Sequence, residues 1–429
     1  MTLCAARRRR FNPRFIHCYH YMTSHRNIDT IRAEFPLLAT NPELAYLDNA
    51  AGTQKPEAVL KAMDAFYRTS YANVHRSVYD LSERATAQYE DARGRVAHFL
   101  NAQPQEIIFT KNATEAINLV AYSFGEENVH EGDEVLVSIL EHHANFLPWQ
   151  RLCAQKKARL VVAPVRADGT LDEEQMLALI SARTKIVALT ALSNVTGTRT
   201  PLARIIERVH QQGARVIIDG AQAVAHEHVD IRAMGADFFV FSGHKVFGPT
   251  GIGVLAARAE LLETMQPFIV GGEMVKTVSL DNTEWNDIPW KFEAGTPPIA
   301  EAIGLKTAID FIESIGWPHL HAHEQTLVEY ALERVRALKG VHLIGPETYS
   351  SDRAPIISFT VDGVHPHDLA SILNERHVAI RSGHFCAQPF LNALSYTAAA
   401  RASFTIYNTH AEVDALIEGI AAAQKIFRV

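Results

Sequence analysis

A chain of 429 residues, 47% hydrophobic and 21% charged, has the makeup of a folded globular protein, long enough to bury a large core and to divide into two or three domains. Its 41 basic and 48 acidic residues leave a net charge of −7, which argues against nucleic acid as a partner, and no apolar run approaches the ~18 to 20 residues of a membrane span. The four cysteines, Cys4, Cys18, Cys153 and Cys386, are spaced too widely for a disulfide framework or a zinc site, so a reducing, cytoplasmic setting is expected and no metal centre.

Residues 1–26 carry Arg7 to Arg10 and Arg14 but no acidic residue. They read as a basic extension without a fold of its own, with Met22 as the natural start; an organelle-targeting segment is the alternative. Residues 27–44 form a short lead-in expected to pack with the smaller domain, and Ile28 to Phe35 has the pattern of an amphipathic helix ended by Pro36. From about Pro56, helical patterns alternate with short apolar runs at Glu106–Phe109, Glu134–Val137, Arg159–Ala163, Ile186–Leu189, Val216–Ile218 and Phe238–Phe241. Near-continuous apolar strands between helices predict an α/β domain, residues 45–299, with a mainly parallel sheet covered on both faces and ligands outside the carboxyl ends of its strands. After the helical stretch Ala300–Ile315 comes Gly316-Trp317-Pro318, and the pattern changes to longer helices, as in Leu327–Leu338, with strands near Ile356–Phe359 and Val378–Ile380. This predicts a smaller α+β domain over 300–429.

The polar residues gather where those strands end. Thr110 to Glu115 follows the first strand and opens a helix over Ala116–Tyr122, so backbone N–H groups and the Thr114 hydroxyl can face an anion such as a phosphate; a plain helix cap is the alternative. In Glu141-His142-His143-Ala144-Asn145 the adjacent imidazoles diverge and lack a third ligand, which argues against a metal. At a strand end, an imidazole can instead stack on an aromatic ring and relay a proton. Asp219 closes Val216–Ile218 and Lys245 follows Phe238–Phe241. A carboxylate and a lysine amine at successive strand ends suit pyridoxal 5'-phosphate, which needs one to keep its ring nitrogen protonated and the other to bind its aldehyde. Gln222 then reaches the ring hydroxyl, while Ser242 and His244 add phosphate donors. Cys386 sits in a turn-rich loop between Gly383 and Pro389, where Arg381 or His384 can favour a thiolate; a buried, inert cysteine is equally open. Arg401 is suited to a substrate carboxylate or, as readily, to a surface salt bridge.

Together these segments resemble the class V, fold-type I pyridoxal phosphate enzymes, and within them the SufS/CsdA-type cysteine desulfurases that also act as selenocysteine lyases. The resemblance rests on Tyr46 to Ala51, Asn73 to Arg76, Thr114 to Asn118, Glu141 to Asn145, Ser193 to Gly197, Asp219 to Gln222 and Ser242 to Lys245. It implies a seven-stranded, mainly parallel sheet, with Lys245 binding the cofactor and moving protons, Asp219 and Gln222 on its ring, and His142 stacked above it. Ala113, Thr114, Ser242 and His244 would lie at the phosphate, and Asn194 at cofactor or substrate. Arg401, Arg381 and His75 would serve the substrate, and Cys386 would receive its sulfur. Phe292 to Pro297 resembles the segment through which Thr296 reaches the neighbouring subunit's phosphate, implying a homodimer. The implied reaction converts L-cysteine, or L-selenocysteine, to L-alanine for iron–sulfur cluster assembly, with a SufE-like or SufU-like protein as sulfur acceptor. Two positions depart from the pattern. Phe385 stands where a second histidine is common, and Ala113 where a polar residue is frequent. Another class V aminotransferase or lyase, and a cofactor-free scaffold, are the rival readings.

Overall fold

The computed structural model describes residues 26–350 and 353–429; the basic run, Cys4, Cys18 and Met22 lie outside the described residues. The large sheet comprises β1 (Ile107–Thr110), β2 (Glu134–Ser138), β3 (Arg159–Ala163), β4 (Thr184–Thr190), β5 (Arg215–Asp219), β6 (Phe238–Ser242) and β7 (Gly253–Ala257). It is seven-stranded, in the order β1-β7-β6-β5-β4-β2-β3. The run from β6 to β3 is parallel, while β7 lies antiparallel to both β1 and β6.

Side chains alternate across a strand, so burial on both faces demands apolar residues at consecutive positions. Leu136, Leu189, Ile218 and Phe239 enter one core, whereas Val137, Ala188, Ile217 and Val240 enter the other. Full burial of a side chain such as Phe239 contributes about 2 to 3 kcal/mol. Six strands match the apolar runs. The seventh, β7, carries a glycine and two alanines and gives only a weak strand signal. Its first residue must be small, because a Cβ on Gly253 would lie 2.4 Å from the Asn112 Cα. That close approach brings β7 against the N-terminus of the helix Ala113–Val120.

The smaller sheet contains β8 (Val341–Ile344), β9 (Ile356–Val361), β10 (Arg381–Gly383) and β11 (Ala399–Ser403), all antiparallel, in the order β8-β9-β11-β10. Its core joins Ile357, Phe359 and Ala402 to Leu327, Leu369 and Leu416 from the helices Trp317–Arg336, Pro366–Asn374 and His410–Phe427. Two prolines open helices where the sequence pattern had helices ending. The first helix stops at Ala33 and Pro36 begins the next, while the helix Trp317–Arg336 starts directly after Gly316 with Pro318 in its first turn. Proline lacks an N–H that the first turn leaves unpaired anyway, so it suits helix starts.

The lead-in touches both parts of the molecule. Arg32 donates to the Tyr407 carbonyl at 3.0 Å and to Glu412 at 2.9 Å, while Phe35 packs on Phe247, Phe311 and Tyr407. The helix Ile299–Ile315 packs on the helices Glu57–Thr69 and Asp80–Leu100. Among the described residues, no helix is long and apolar enough to cross a membrane, and no cluster of His, Cys, Asp and Glu could hold a metal ion.

Candidate active site

The loops after β2, β4, β5 and β6 converge on one cavity of about 230 Å³. His142, Asn194, Asp219 and Lys245 line it from the large sheet, and Arg381, Phe385, Cys386 and Arg401 line it from the smaller one. At one end lie Ala113, Thr114, Ser242 and His244. Asn112 caps the helix Ala113–Val120 by accepting from the Glu115 N–H at 3.0 Å, and Ser242 Oγ accepts the Ala113 N–H at 2.9 Å. The backbone donor of Ala113 is therefore already used, and the Thr114 hydroxyl, Ser242 hydroxyl and His244 ring remain as the side-chain groups for an anion.

Asp219 is buried, with Oδ1 accepting the Ala221 N–H at 3.0 Å. A Cβ on the following Gly220 would fall 1.9 Å from the Phe239 ring, so this turn needs glycine to stay tight on the sheet. Burial pushes the Asp219 carboxyl up and the Lys245 amine down, and each charge opposes the other's shift. An amine lowered in this way is more often neutral, the form that attacks an aldehyde. Gln222 donates from Nε2 to the Ala50 carbonyl at 2.8 Å, which fixes its amide over the cavity floor and leaves one N–H for a ring oxygen.

His142 accepts the Ala144 N–H on Nδ1 at 3.0 Å, so the neutral ring carries its proton on Nε2. Burial first, then the charge of Lys245, lowers its pKa from 6.5 to about 3. The unfolded chain therefore takes up this proton first as the solution is acidified. The resulting stability is complete above pH 6.5 and is lost as pH falls toward 3. In denaturant unfolding at pH 7 and pH 5, the wild type is expected to lose about 2 kcal/mol relative to His142→Phe, one proton over the interval below the unfolded value. Next in the chain to His142, Glu141 accepts from Ser138 Oγ and Asn145 Nδ2, both at 2.6 Å, and burial raises its carboxyl to about 8.

Arg401 is buried and donates to the Asn194 carbonyl at 2.9 Å and to Asp48 at 3.1 Å, while its Nε has no hydrogen-bond partner among the described residues. Arg381 approaches the other Asp48 oxygen at 3.5 Å. Asp48 thus sits between two guanidinium groups. It lies in the motif Tyr46 to Ala51, where the sequence alone assigned this residue no role. The Arg401 guanidinium lies 5.1 Å from the centre of the buried Phe385 ring. Phe385 therefore alters the inner wall beside Arg401, not the exposed face of the Cys386 loop. Cys386 itself is exposed and a free thiol.

His75 and Thr296 are not among the residues that line this cavity. The His75 ring bonds Glu90 at 2.8 Å beside Trp290, and it lines a second cavity with Gly295 and Pro297, the neighbours of the exposed Thr296.

The donor set fits pyridoxal 5'-phosphate. A depressed lysine amine suits its aldehyde, a buried carboxylate its ring nitrogen, an imidazole its ring face, and hydroxyl and imidazole groups its phosphate. Residues 45–416 match the model of the aminotransferase class-V family, and the chain belongs to it as a pyridoxal phosphate-dependent enzyme of that class. Within the class it is a cysteine desulfurase by descent. It is 47% identical to a cysteine desulfurase of Klebsiella pneumoniae over 93% of this chain and 99% of the relative. It is also 42% identical to one of Haloferax volcanii over 94% of this chain and 98% of the relative. The cysteine desulfurase CsdA of Escherichia coli, in an S-sulfonic acid form, superposes with a TM-score of 0.87 at 40% identity, covering 93% of this chain and 99% of that one.

Proposed function

We propose that this chain takes sulfur from L-cysteine, releases L-alanine and holds the sulfur on Cys386 as a persulfide. The observation that carries this reading is an exposed thiol on the same cavity as Lys245 and Arg401, close enough for a thiolate to be felt by both cations. Arg401, aided by Arg381, binds the substrate carboxylate and so orients the Cα–H bond toward Lys245. When bound, the cofactor supplies an electron sink for the pair left on Cα. Asp219 would hold a proton at the ring nitrogen, and His142, on the same cavity, would serve as a second proton carrier. Lys245 removes the proton from Cα and returns one to the product. The Cys386 sulfur attacks the substrate sulfur. An S–S bond forms, the C–S bond breaks with its electron pair going to the carbon side, and a proton completes the methyl group of alanine.

Thr296, exposed beside the His75 cavity, supports a homodimer in which each subunit offers this threonine to the other's phosphate site. The exposed Cys386 supports delivery to a SufE-like or SufU-like acceptor protein, with iron–sulfur cluster assembly as the destination and L-selenocysteine as a second substrate. A thiol that must stay reduced suits the cytoplasm.

Purified protein given L-cysteine and a reductant is expected to yield alanine and sulfide in equal amounts; keto-acid formation without sulfide would point to an aminotransferase instead. Replacing Arg401 with alanine is expected to raise KM for L-cysteine about ten- to a hundredfold, the worth of a charge-assisted pair of hydrogen bonds. Initial-rate kinetics check this, and an unchanged KM would remove Arg401 from substrate binding.

A further inference from the structure

The loop bearing Cys386 is held by hydrogen bonds on both sides of the thiol. Asn194 Nδ2 donates to the Phe385 carbonyl at 2.8 Å, and the His143 N–H donates to the Cys386 carbonyl at 2.7 Å. Beyond the thiol, the Gln388 N–H donates to His143 Nε2 at 3.2 Å. Between these contacts, Phe385 and Cys386 have φ of 53° and 55°. Residues with side chains adopt this left-handed region at a cost, and two in succession persist only where the surroundings fix them.

The two adjacent histidines therefore divide their work. His142 faces the cofactor side of the cavity, and His143 turns the other way onto the thiol loop. We propose that His143 is a positioning residue whose neutral ring, protonated on Nδ1, accepts the Gln388 N–H and so keeps Cys386 in its strained, presented conformation. The inference rests on the reading of Cys386 as the sulfur-accepting thiol. Because Nε2 must be an acceptor here, a charged imidazole could not make this bond. Partial burial and the His384 ring, 5.9 Å away, both lower the His143 pKa and keep the acceptor form. An amide oxygen at the end of a glutamine reaches the same place as Nε2, whereas leucine fills the volume without an acceptor.

The test compares wild-type, His143→Leu and His143→Gln holoenzymes by amide hydrogen exchange of the peptide containing Gln388 and by single-turnover sulfur transfer to Cys386. In the leucine variant, exchange is expected to quicken and transfer to slow about five- to tenfold, the worth of one hydrogen bond. KM should stay within about twofold and the cofactor's absorbance should be unchanged, with His143→Gln returning both rates toward wild type. Wild-type exchange and transfer in His143→Leu would overturn the proposal, as would failure of glutamine to restore them in a protein with normal cofactor absorbance. If wild-type protein makes alanine while Cys386 gains no sulfur, the persulfide reading fails, and exchange at Gln388 alone then decides whether His143 holds the loop.

Discussion

Lys245→Ala protein is expected to lack the visible absorption of a lysine-bound cofactor and to form alanine from L-cysteine at least about a thousandfold more slowly than wild type. In the proposed mechanism two roles are lost together, the amine that binds the aldehyde and the base that moves the Cα proton, and among the described residues no other lysine lines the cavity. The fold should survive. Lys245 follows β6, and the strand itself is held by Phe238 to Phe241 in the two cores. Removing a buried amine also relieves a desolvation cost, although Asp219 then loses the nearby cation that favours its charged form. Absorption spectra and alanine assays on the two proteins check the result. A wild type that stays colourless with pyridoxal phosphate, and a variant indistinguishable from it, would leave only a scaffold.

Cys386→Ala protein should divide the reaction differently. Lys245, Asp219 and Arg401 remain, so cofactor absorbance and KM for L-cysteine are expected to stay close to wild type, while sulfide and alanine formation fall about a hundred- to a thousandfold with the loss of the nucleophile. The exposed position of Cys386 makes the substitution mild for folding. Wild-type alanine formation by this variant would mean that the thiol is incidental and that sulfur leaves by another route. L-selenocysteine is the weaker probe here, because selenium can depart without attack by the thiol.

Much of the large domain was legible because burial on both faces forces long apolar runs, and the polar residues that break those runs stand at the strand ends. That rule put Asp219, Lys245 and His142 at strand ends, and the family resemblance singled them out for the site. The antiparallel β7 was not, since Gly253 and its alanines are chosen for close packing on Asn112 and not for strand propensity. Prolines misled at Pro36 and Pro318, where an interruption in the pattern was the start of the next helix. Within the site, the sequence named groups that line the cavity but not those that hold them in place. Asp48 reaches Arg401 across 353 positions of chain, and His143 reaches Gln388 across 245. Contacts of that span leave no local periodicity to read. His75 and Thr296 show a different limit: their motifs resemble the family's, yet His75 lines a second cavity and Thr296 is exposed beside it, and the proposed homodimer is what would bring Thr296 to a phosphate site.

The most direct test of the account is mass spectrometry of the Cys386 peptide after a brief pulse of L-cysteine to the holoenzyme, without reductant. One additional sulfur atom on Cys386, removed by later treatment with a thiol and accompanied by an equal amount of alanine, is the predicted result. Alanine accumulating through several turnovers while Cys386 remains an unmodified thiol would contradict it.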